Sequence, residues 1–211
     1  MLFCHITSHV EGEAHGDLYD QKGGGGFPAF LVLDAEGKVL WRHSGDRSVV
    51  EFEKTIDKSV AYLEALKKAE GGDKSAGIDV AITELEQGNL TEDAAKKKIA
   101  ELGEPTPEQQ ARLDAIVLNA EVMRISESSG KDRVGAGKKF LEMKEAGRIP
   151  DGYKETDIFW NRILDYAESE KNAKLFEEGL NKLKEKFASN PNTKKYFELK
   201  EGVLKKLKTG K

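Results

Sequence analysis

Apolar and polar positions follow two different rhythms along this chain, and the change falls near residue 47. Before it, apolar residues come in short runs: Leu2-Phe3-Cys4-His5-Ile6-Thr7, then Ala29-Phe30-Leu31-Val32-Leu33, then Val39-Leu40-Trp41. Runs of this length, rich in branched and aromatic side chains, predict strands. Asp34-Ala35-Glu36-Gly37 between the second and third predicts a tight turn in which Gly37 supplies positive φ. Pro28 has no N–H to give a ladder, so it belongs at the first residue of its strand. A short helix is expected around Ala14 to Lys22. From Arg47 to Glu70, Val49, Phe52, Ile56, Val60, Leu63 and Leu66 recur at helical steps, which predicts one amphipathic helix with these six on its buried face.

Gly71-Gly72-Asp73-Lys74-Ser75 interrupts that rhythm and reads as a linker. Everything after it has helical periodicity. Ile78 to Gln87 is a short element. Thr91 caps a helix that runs to Leu102 and stops at Gly103. Thr106-Pro107-Glu108-Gln109 is a capping box with proline at the first helical position. Its helix carries Leu113, Ile116, Val117, Ala120 and Met123. Further helices are predicted over Gly135–Glu145, from Thr156 through Tyr166, over Asn172–Ala188 ending at Pro191, and over Thr193–Lys208. The expected division is therefore residues 1–70, a linker at 71–75, and an all-helical domain over 76–211.

The segment GGGFPAFLVLDAEGKVLWRHSG, Gly24 to Gly45, resembles the second half of a thioredoxin-like domain. In that family a cis-proline opens one strand of a hairpin and a helix follows. The likeness extends over roughly Leu2 to Glu70. It implies an α+β chain: an incomplete thioredoxin-like βαββα module followed by an all-α helical bundle or helical-hairpin domain. Leu2–Thr7 then matches the strand between the family's first two helices, which places the family's first strand and its Cys-x-x-Cys helix upstream of Met1. Cys4 is the only cysteine, and one thiol cannot form an intramolecular disulfide. The segment from Trp160 to Pro191 weakly resembles a tetratricopeptide-type repeat, with Gly179 as the small residue of its second helix. No second copy stands out in the sequence.

Candidate chemistry is sparse. The resemblance implies that Phe27 and Pro28 lend backbone to an extended peptide, as the residues at a thioredoxin-like cis-proline do. Gly23 to Gly26 is not a phosphate cradle, because a proline-led strand follows it where a P-loop needs Lys-Ser or Lys-Thr and a helix. Gly130 to Lys139 fails as a P-loop too, since no hydroxyl residue follows its lysines. Cys4 and His5 point to opposite faces of one strand, so they do not share a metal. His9 and His15 flank Glu11 and Glu13 in a polar loop and are the weak metal candidates. Tyr153, Phe159, Trp160 and Tyr166 at helical spacing read as core.

Charged residues make up 34% of the 211, with a net charge of −4, which disfavours nucleic acid and anionic membrane as general partners. No apolar run is long enough to cross a bilayer. No catalytic residue and no cofactor-binding residue is assigned, and no cofactor is expected. The leading reading is a non-catalytic protein–protein interaction or scaffold protein with a redox-inactive module. The partner is a protein or peptide, with a homodimer formed through exposed sheet. One alternative is the C-terminal part of a thiol–disulfide oxidoreductase whose Cys-x-x-Cys lies upstream of Met1; another is a weak metal-binding accessory protein. Localisation is cytoplasmic for the chain as it stands, or periplasmic or secreted if a leader precedes it.

Overall fold

The computed structural model describes residues 16–22, 28–45, 47–187 and 190–210. The expected strand at Leu2–Thr7, with Cys4, His5, His9, His15 and Phe27, lies outside them. Over the described residues the chain is α+β and mostly helical, with a two-stranded antiparallel sheet. It divides into two compact units, one ending at Thr83 and the other spanning Glu84–Lys211.

The first unit holds a short helix α1 (Leu18–Gln21), strands β1 (Leu31–Leu33) and β2 (Val39–Arg42), and helix α2 (Val49–Glu70). Pro28 lies in a bend ahead of β1, not at the first residue of that strand. The turn forms as its composition requires. Asp34 Oδ1 accepts the amides of Glu36 at 3.0 Å and Lys38 at 2.7 Å, and Gly37 takes φ +80°. Leu31 pairs with Arg42 and Val32 with Trp41, and a bulge then shifts Leu33 onto Val39.

The α2 helix is present, capped by Ser48, whose hydroxyl accepts the Glu51 amide at 3.3 Å. Its buried face is not the expected one. Thr55, Ser59 and Tyr62 are buried, while Val49, Ile56 and Val60 are 72%, 54% and 50% exposed. Small hydroxyl residues let the helix approach the hairpin closely, and their polar atoms are satisfied locally. Thr55 Oγ1 donates to the Glu51 carbonyl and lies 2.7 Å from His43 Nδ1; Ser59 Oγ donates to the Ile56 carbonyl. Tyr62 then packs with Leu40 and Val80, with Leu63, Leu66 and Ala69 at the margin.

The next helix, α3 (Lys74–Glu86), starts four residues earlier than expected, inside the segment read as a linker. Asp73 accepts the Ala76 amide at 3.0 Å and so starts the helix directly after Gly72. The division between the two units falls within α3, after Thr83.

The second unit contains α4 (Glu92–Leu102), α5 (Pro107–Ser129), α6 (Arg133–Glu145), α7 (Tyr153–Ser169), α8 (Ala173–Phe187), a 3₁₀ turn at Pro191–Thr193, and α9 (Lys194–Thr209). Thr91 and Thr106 cap α4 and α5 as expected, and the Thr106–Gln109 box is complete in both directions. The sixth helix packs on the seventh, the seventh on the eighth, and the eighth on the ninth. Phe140, Phe159, Phe176, Ile163, Leu164, Leu180 and Leu183 form their shared core.

These helices carry a repeat that residue identity conceals. The N-cap residues of α4, α6 and α8 are Thr91, Asp132 and Asn172, each accepting the amide three residues on. Four residues beyond each cap lie Ala95, Ala136 and Phe176; eight beyond lie Ile99, Phe140 and Leu180. All six are buried. The following helices agree: Leu118, Val122 and Ile125 of α5 stand where Phe159, Ile163 and Tyr166 stand in α7. A two-helix unit of 40 to 41 residues thus recurs, longer than the 34 residues of a tetratricopeptide repeat.

Candidate functional site

Of the two residues expected to line a peptide groove, Phe27 lies outside the described residues and Pro28 is exposed. Just beyond Pro28, Phe30 packs edge-on to Phe52 with centroids 5.0 Å apart, and Phe52 stacks on His43 at 4.4 Å. Phe30 keeps 39% of its surface exposed. This aromatic cluster, which begins two residues after Pro28 in the sequence, joins the hairpin to the start of α2. The stripe Val49, Ile56 and Val60 continues along the outward side of the helix.

The weak metal candidates His9 and His15 fall outside the described residues. Among the described residues no three His, Cys, Asp or Glu side chains gather in a way that could hold a metal ion. Gly130 to Lys139 runs from the C-cap of α5 into α6, and of its glycines Gly137 lies against α7.

One hollow in the helical unit has no signature in the sequence. It is a cavity of about 400 Å³ enclosed by the start of α7, the end of α8 and the start of α9. Tyr153 and Phe187 form one edge-to-face pair with centroids 4.9 Å apart, and Tyr196 and Phe197 form a second at 5.2 Å. Phe159, Trp160 and Tyr166 pack with the core as expected, whereas Tyr153 also lines this cavity.

Polar groups enter the cavity wall in an ordered chain. Tyr196 Oη donates to Asn161 Oδ1 at 2.6 Å, and Asn161 Nδ2 donates to Asp157 Oδ1 at 2.8 Å. Burial pushes the Asp157 carboxyl above its ordinary value, against the Asn161 amide and the Arg162 guanidinium, which pull it down. Burial also raises the Tyr196 phenol strongly, and the Asp157 and Asp165 carboxylates push the same way. Neither helix end alone signals this arrangement, because its parts come from three elements.

No family model, no curated protein and no solved structure matches the chain.

Proposed function

We propose that this chain is a non-catalytic protein–protein interaction module whose first unit docks a partner through the hairpin and the outward face of α2. The observation that carries the reading is the orientation of that helix. Its small hydroxyl face is turned to the hairpin, while the aliphatic stripe Val49, Ile56 and Val60 is left in solvent. A helix that buries threonine and serine and exposes valine and isoleucine has a second surface to cover. The order β1, β2, α2 also supports the thioredoxin-like reading of this unit, in which Phe27 and Pro28 would accept an extended segment.

The partner that fits best is a second copy. Across a two-fold axis an antiparallel pair of α2 helices sets Val49 of one chain near Val60 of the other.

Sedimentation equilibrium of the whole chain at micromolar concentration tests this. A dimer is expected, and Ile56→Glu with Val60→Glu should give a monomer of unchanged helical content. A monomeric wild type, or a dimer indifferent to these substitutions, would overturn the proposal. Rapid insulin reduction by the chain would overturn its non-catalytic half.

A further inference from the structure

We infer that the aromatic cavity between the ends of α7, α8 and α9 is a binding site for an arginine side chain presented by a partner protein. The site is in the helical unit and does not depend on the α2 surface. Its volume, about 400 Å³, accommodates one long side chain with its adjoining backbone.

Three features select the chemistry. The walls are aromatic, and the faces of Tyr153 and Tyr196 attract a cation through their ring quadrupoles. The Lys200 ammonium, outside the cavity, already lies 5.9 Å from the Tyr196 centroid, so this ring accepts a cation in the structure itself.

The second feature is Asp157. Asn161 occupies its Oδ1, and no partner hydrogen-bonds Oδ2 among the described residues. Nor does any lysine or arginine among them form an ion pair with it. An exposed carboxylate at the cavity wall, held through one oxygen by Asn161, leaves its other oxygen available to a cationic ligand.

The third feature is rigidity. The Tyr196–Asn161–Asp157 chain fixes the carboxylate before anything binds, which lowers the ordering cost of pairing. A planar guanidinium can stack on an aromatic ring while presenting its N–H fork to the free carboxylate oxygen, which an ammonium cannot do. Lys154, also at the wall, is exposed and competes as a mobile positive charge.

The test is a titration of the whole chain with N-acetyl-arginine methylamide, followed by amide chemical shifts in NMR. Saturable shifts at Tyr153, Asp157 and Tyr196 are expected. The citrulline analogue, with the same shape and no charge, should bind about ten-fold more weakly. Asp157→Asn should lower arginine affinity by a similar factor, and Lys154→Ala should raise it. The Asn variant keeps the acceptor for Asn161, so the fold is retained and the loss is interpretable. No saturable shift, equal binding of the citrulline analogue, or equal binding of the lysine analogue would each overturn the assignment to arginine.

Discussion

Gly137 lies against the backbone of Arg162 so closely that a Cβ on the glycine would collide with the Arg162 carbonyl and sit 2.7 Å from Tyr166 Cβ. Here the α6 and α7 backbones pack directly on one another, and only a residue without a side chain permits it. Ala136 beside it is fully buried, so the two helices meet along small residues.

Gly137→Ala should therefore destabilise the chain by about 3 kcal/mol, because carbonyl backbone cannot yield as a side chain would. Gly202→Ala is the control. Gly202 lies within α9 with nothing within 4 Å of a would-be Cβ, and alanine there should stabilise by about 0.5–1 kcal/mol. Denaturant unfolding of the two variants checks both signs at once.

Lys171 has φ +54° and is the one non-glycine residue with positive φ among the described residues. It joins α7 to α8 at the place where Gly130, with φ +52°, joins α5 to α6. The repeat thus puts glycine in one copy and lysine in the next at a position that disfavours a Cβ. Lys171→Gly should raise stability by about 0.5 kcal/mol, the relief of strain exceeding the added freedom of the unfolded chain. Lys171→Ala should bring no such gain, which separates backbone conformation from loss of charge. Thermal melts of both variants decide it.

The residues of the helical core run from Leu118 to Leu207, and all belong to α5 through α9. A fragment beginning at Lys74 should consequently melt in one cooperative transition with strong helical circular dichroism. A broad, non-cooperative melt would show that the core is insufficient by itself.

The parts of this architecture that were legible in the sequence are those written locally. Thr91 and the Thr106–Gln109 box mark helix starts because capping uses side chains within three residues of the amides they serve. Phe159 and Trp160 read as core from their helical spacing and are buried, since one helix carries the whole stripe. The α2 face was misread because hydrophobicity says which side prefers burial, while close approach to the hairpin favoured Thr55 and Ser59. The repeat escaped because its equivalent positions share burial and not identity, as Ala95, Ala136 and Phe176 show. The aromatic cavity escaped because Asp157, Phe187 and Tyr196 belong to three helices and come together only by packing.

Asp157 gives the last prediction. Burial holds its carboxyl above the ordinary aspartate value of 3.8, so the folded chain binds that proton more tightly than the unfolded chain does. Below the ordinary value both states are protonated and Asp157 is neutral in its effect. As pH rises through 3.8 the unfolded state ionises first, and stability falls until the folded carboxyl ionises as well; above that the penalty is constant. Asp157→Asn removes the titration while retaining an oxygen for Asn161 Nδ2. The variant should match the wild type at pH 3 and be more stable than it at pH 7, the difference opening across the acid range. Because the residue is exposed on one side, the gain should be modest. Urea titrations of both proteins from pH 3 to pH 7 measure it directly. A variant less stable than wild type at neutral pH would mean that the carboxylate has a stabilising cation in solution, which would require that cation to come from within the chain and would remove the vacancy the arginine site depends on.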